Sequence, residues 1–150
     1  MKLAEALQER SDLNRRIEQL RHRLMMNATV QEGEKPAEDP AELVAELDAC
    51  AARLEELMAR INRTNSETRI EGRTLTELIA KRDALTVKLN AYRDLVSNAS
   101  NVVSRATRSE IKILPAVNVK KLQKQVDDMS RDLRLTDNAI QQANWTSDLI

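Results

Sequence analysis

Four stretches of this chain repeat apolar residues at alternating intervals of three and four, a spacing that predicts long helices packed along narrow seams. The first seam is Leu3, Ala6, Arg10, Leu13, Ile17, Leu20, Leu24 and Asn27, and the second Leu43, Leu47, Cys50, Leu54, Leu57, Ile61 and Thr64. The third is Leu75, Leu78, Arg82, Leu85, Leu89, Tyr92, Val96 and Ala99, and the fourth Val119, Leu122, Val126, Met129, Leu133, Thr136, Ile140 and Ala143. Composition closes the other routes. The chain has no Phe, one Tyr, one Trp and two Gly, with 32% charged residues. A strand-rich fold would want more aromatic and β-branched residues and more turn glycines.

Local signals set the boundaries. Gly33 and Pro36 punctuate the first break, after which Asp39 reads as an N-cap, Pro40 as the first helical residue and Glu42 as a capping-box acid. A second break covers Ser66–Arg73 around Gly72, and Thr74 with Glu77 opens the third helix as a capping box. Asn118 caps the fourth. Between helices three and four, Ser109–Leu114 alternates with period two and reads as a short strand ended by Pro115. A lone strand leaves its backbone unpaired, and Ala28–Glu32 is the one other extended candidate in the chain, unless a second subunit supplies the partner.

The helices repeat. Shifted by 72 positions, Leu3 falls on Leu75, Glu5 on Glu77, Arg10 on Arg82, Leu13 on Leu85 and Arg21 on Arg93. Shifted by 79, Leu43 falls on Leu122, Leu54 on Leu133, Ile61 on Ile140 and Asn65 on Asn144. The expected fold is therefore mainly α, a single domain over 1–150. Two antiparallel hairpins, about 1–66 and 74–146, make a pseudo-repeat bundle. A short two-stranded β element is expected from the helix 1–2 and helix 3–4 connections, which carry opposite charge.

An arginine in a seam is costly unless it is paired or reaches water. Arg10 and Arg82 occupy matched seam positions. The bundle geometry is expected to gather them with the polar end of helix two, Asn62 and Asn65, and with Asn144 and Trp145. Such a cluster is either a buried structural network, neutralised by carboxylates such as Asp137, or a seat for a small anion held by two arginines.

Other chemistry is absent from the pattern. There is no Gly-rich phosphate loop and no His/Cys metal spacing, and the single histidine, His22, falls on a solvated face. No enzyme activity, metal or cofactor is expected. The formal charge is zero, and the basic stretch Arg105–Lys124 has no interleaved aromatics, so no nucleic acid is expected. The charged amino-terminal stretch reads as no secretory signal, and no segment approaches the roughly 18 apolar residues of a membrane span. The expected location is the cytoplasm.

The runs Lys2–Leu7, Val30–Glu34 and Ile61–Asn65 resemble a family of short helical proteins common in actinobacteria, often labelled septicolysin-like. So do Gly72–Leu75, Ser109–Lys112 and Gln142–Trp145. The resemblance spans essentially the whole chain and brings no catalytic residues. Its label implies a pore-forming cytolysin, whereas the residues lack an amphipathic apolar hairpin and membrane-anchoring aromatics. From the residues themselves, the expected role is a non-catalytic, self-associating interaction or scaffold protein. A membrane-active cytolysin is the first alternative and a small-anion binder the second.

Overall fold

A computed structural model describes residues 1–101 and 111–150. In chain order the described elements are α1 (Leu3–Met26), α2 (Pro40–Glu67), β1 (Arg69–Ile70), β2 (Arg73–Thr74), α3 (Leu75–Ser100) and α4 (Val119–Thr146). The mainly helical expectation holds, with four long helices among the described residues.

The helix starts follow from their caps. Asp39 accepts the N–H of Ala41 at 2.9 Å ahead of Pro40, although Glu42 does not return the bond and offers only its charge to the helix dipole. The Thr74 box closes in both directions: the Thr74 N–H donates to Glu77 at 2.7 Å, and the Glu77 N–H to Thr74 Oγ1 at 3.2 Å. Asn118 accepts the N–H of Lys121 at 3.0 Å.

The repeat extends to the backbone. Moving α2 by 79 positions lands both its ends on the ends of α4, and moving the start of α1 by 72 lands on the start of α3. Glu5 takes the Lys2 N–H at 2.6 Å as Glu77 takes that of Thr74. Asp39 and Asn118 are equivalent caps, and the Thr68 N–H to Thr64 carbonyl bond has its counterpart in Ser147 to Ala143, both 2.9 Å.

Two compact units make up the chain, Met1–Arg69 with Ala143–Ile150, and Ile70–Gln142. In the first, α1 and α2 run antiparallel. Glu9 meets Arg53 and Arg16 meets Glu46, and Arg23 meets Glu38 just ahead of α2, so partner numbers fall as they rise along α1. Under this ladder Leu20, Leu43 and Cys50 form a buried cluster, flanked by Leu13, Ile17, Leu24 and Leu47. Each such buried aliphatic side chain contributes about 1.5–3 kcal/mol relative to exposure. Cys50 is thus the small buried core residue its seam position predicts. Asn27 fixes the connection: its amide donates to the Arg23 carbonyl at 2.9 Å and its oxygen accepts the Glu38 N–H at 3.0 Å.

In the second unit, α3 and α4 are joined by Lys81–Asp132 at 2.7 Å and by Arg93 donating to Ser130 Oγ at 3.2 Å. Two helical hairpins are the result.

The two-stranded element exists but lies elsewhere. It is the β1–β2 hairpin of the α2–α3 connection, not a pairing of the first and third connections. Ala28–Glu32 and Ile111–Leu114 form no strand; Ser109 and Glu110 lie outside the described residues. The cause is turn chemistry. Glu71 (φ 50°) and Gly72 (φ 84°) both take the left-handed region, the requirement of a type I′ hairpin, whose twist matches that of paired strands.

Candidate functional site

The expected cluster draws on both units: Arg82 lies in the second, and Arg10, Asn62, Asn65, Asn144 and Trp145 in the first. Arg10 is half-buried on α1 and makes no ion pair among the described residues. On α2, Asn62 is exposed and Asn65 half-buried. Asn144 is buried at 9% exposure, while Trp145 stands 67% exposed. Among the described residues no hydrogen bond links any of these five to another. Arg82, in the other unit, is held by Asp83 at 2.9 Å and reaches Asp137 at 3.7 Å, the carboxylate expected to neutralise it.

The polar end of α2 does have a task, carried by residues that the sequence reading passed over. Thr64, 1% exposed, donates its hydroxyl to the Arg60 carbonyl at 2.9 Å and accepts the backbone N–H of Ile150 at 3.1 Å. Arg60 also donates to the Leu149 carbonyl at 3.3 Å. The other end of the chain joins there. Lys2 and Asp148 form an antiparallel bridge, the Leu149 N–H donates to the Met1 carbonyl at 3.0 Å, and Lys2 Nζ lies 2.8 Å from Asp148. That lysine holds the Asp148 carboxyl below its ordinary range. Thr64 was legible only as a small polar seam residue.

Two features of the second unit are candidates for contact with other molecules. One is a concavity of about 340 Å³ between α3 and α4. Leu89 and Leu133 form its floor, and Arg82, Arg93 and Arg134 stand at its rim with Ser130. Ser130 donates to the Val126 carbonyl at 2.8 Å while accepting from Arg93, so it holds that guanidinium in place. The other is the outer face of α3, where Ala80, Ala84, Val87, Ala91 and Leu95 follow one another at helical spacing, all exposed. Val87 is 72% exposed and Leu95 43%.

Among the described residues no group of His, Cys, Asp and Glu is placed to hold a metal, and no helix is long and apolar enough to cross a membrane.

Together these observations define a mainly helical protein made of a duplicated helical hairpin, with one short strand pair between the copies and a single β-bridge between the chain ends. The chain belongs to the family described as a family of unknown function (DUF6847), whose model matches residues 10–149. It is also similar to the crystal structure of a functionally unknown conserved protein from Corynebacterium diphtheriae, with 40% identity and a TM-score of 0.89. That match covers 100% of this chain and 99% of the other. No curated protein matches. Neither match carries the septicolysin-like label, so that finer assignment falls away and family membership stands.

Proposed function

We propose that this protein is a non-catalytic cytoplasmic interaction protein that pairs with a second copy of itself through the outer face of α3. The observation that carries the reading is internal to the molecule. At the repeat-equivalent positions α1 presents Gln8, Asp12, Arg15, Gln19 and Arg23, the ordinary polar face of a surface helix, where α3 presents Ala80, Ala84, Val87, Ala91 and Leu95. The same fold position is solvated in one copy and apolar in the other.

A second copy suits this face because the stripe is self-complementary. In an antiparallel pairing about Val87, the large Leu95 falls opposite the small Ala80 of the second copy, and Ala84 opposite Ala91. Such pairing lets the helix axes approach within about 8–10 Å. The stripe spans about 22 Å of helix at 1.5 Å per residue.

Sedimentation velocity at micromolar concentration is the test. The wild type is expected to sediment as a dimer and Val87→Glu as a monomer of unchanged helicity, with Arg15→Glu on α1 leaving the dimer intact. A Val87→Cys variant is expected to cross-link to itself on mild oxidation. A wild type that stays monomeric at tens of micromolar (the range where a Kd of about 10 μM, near −7 kcal/mol, is visible) overturns the reading. The cytolysin activity implied by resemblance has its own readout, dye release from liposomes, and the proposal expects none.

A further inference from the structure

We infer that the α3–α4 groove is a binding site for a small phosphate monoester, held by Arg93 and Arg134 over an apolar floor. This site is separate from the α3 outer face and does not depend on self-association.

The groove's charge is unbalanced. Of its three guanidiniums, Arg82 is already engaged by Asp83 and Asp137. Among the described residues Arg93 bonds the Ser130 hydroxyl at 3.2 Å and meets no carboxylate, so its one partner is neutral and orients it without discharging it. Arg134, one turn further along α4 and exposed, meets no carboxylate among the described residues. Two planar, permanently charged donors line one concavity, and each guanidinium fork matches phosphate oxygens bidentately. The floor of Leu89 and Leu133 offers nothing to the anion itself but accepts an organic substituent. A volume of about 340 Å³ suits a ligand of that size.

The duplicated hairpin supplies the contrast. The equivalents of Arg82 and Arg93 are Arg10 and Arg21, but Arg134 is replaced by Glu55, Ser130 by Ala51 and Asp137 by Met58. Arg21 is turned to Glu18 at 3.6 Å. The same scaffold position thus has a carboxylate where the second hairpin has a third arginine, and no hydroxyl to hold the second. The groove's cationic character is particular to α3 and α4.

Isothermal titration calorimetry of the full chain at low salt tests this, with phenyl phosphate and inorganic phosphate as probes. Both are expected to bind, phenyl phosphate the more tightly because its ring covers the leucine floor. Arg93→Met/Arg134→Met is expected to weaken phenyl phosphate by about tenfold or more, the equivalent of one lost charge-assisted hydrogen bond. Circular dichroism is expected to be unchanged. Ser130→Ala, which removes only the group that positions Arg93, should weaken binding several-fold. Arg131→Met, an exposed arginine of α4 outside the groove, should leave it untouched. To separate a free ester from a lipid headgroup, vesicles with and without phosphatidic acid form a second arm; loss of vesicle binding in the double variant assigns the headgroup. Equal binding by wild type and double variant in both arms, or equal loss in Arg131→Met, overturns the inference.

Discussion

The backbone N–H of Leu149 donates to the carbonyl of Met1 at 3.0 Å, so residues at opposite ends of the chain are antiparallel neighbours. The repeat gives that bond a meaning. Leu149 is the equivalent of Ile70 in β1, Met1 that of Arg73 in β2, and the Lys2–Asp148 bridge that of Thr74 with Arg69. The chain ends reproduce the β1–β2 hairpin with its turn left open.

A circular permutant follows from this relationship. Ile150 stands where Glu71 stands, so a single glycine joining Ile150 to Met1 recreates the Glu71-Gly72 turn. A chain reopened between Glu71 and Gly72 is expected to fold with the same helical content and a melting temperature within a few degrees, since a shift of about 1 kcal/mol moves a chain of this size by about 2–4 °C. Loss of cooperative unfolding would show that the two strand pairs are not equivalent.

Thr64 anchors the closing segment, and Thr64→Val isolates that role because it keeps the shape and removes both hydrogen bonds. The variant should lose about 1 kcal/mol in urea denaturation, the usual net worth of such a bond. Amide exchange at Ile150 should accelerate while that at Leu57, deep in α2, keeps its protection relative to global stability.

The β1–β2 turn carries a residue poorly suited to it. Glu71 sits at φ 50°, a region that costs a non-glycine residue about 1–2 kcal/mol in full helical form and that asparagine visits more readily. Glu71→Asn is expected to raise stability by a few tenths to about 1 kcal/mol. Gly72→Ala, at φ 84°, should lower it by a similar amount. Nothing lies within 4 Å of the position an added Cβ would take, so the second effect is one of backbone conformation rather than collision. Thermal melts of the two variants check both signs.

Acid should weaken the first hairpin. Hydrogen bonds from Arg53 hold Glu9 and Glu56 below the usual carboxylate range, and those from Arg23 do the same for Glu38. A carboxyl whose folded value is depressed binds its proton more readily when unfolded. Its contribution is therefore present above the ordinary glutamate value of 4.5 and is lost as pH falls through the folded value. Urea midpoints should fall between about pH 5 and about pH 2, less steeply in Glu9→Gln and Glu38→Gln, and less steeply in high salt because these pairs face solvent.

Helix identity, helix bounds and the duplication were all legible in the residues, since each is written locally. Seam spacing is a property of single helices, and Asp39, Thr74 and Asn118 bond backbone groups two or three positions away. Of the candidate site, the Asp137 carboxylate facing Arg82 was legible. Arg10 and Arg82 shared a seam position, but a seam position does not say which side chains reach it, and Arg82 settles on the carboxylates of Asp83 and Asp137. Likewise the period-two run at Ile111–Leu114 has strand character in its residues but forms no strand.

The sequence by itself determined the helices and their twofold repetition, because periodicity and capping act over a few residues. Only the tertiary structure decided that Thr64 receives Ile150, that Met1 pairs with Leu149, and that Arg93 and Arg134 stand at one groove. Those residues lie 41 to 148 positions apart, where the gain comes from burial and from satisfying distant backbone groups, and no local pattern records it.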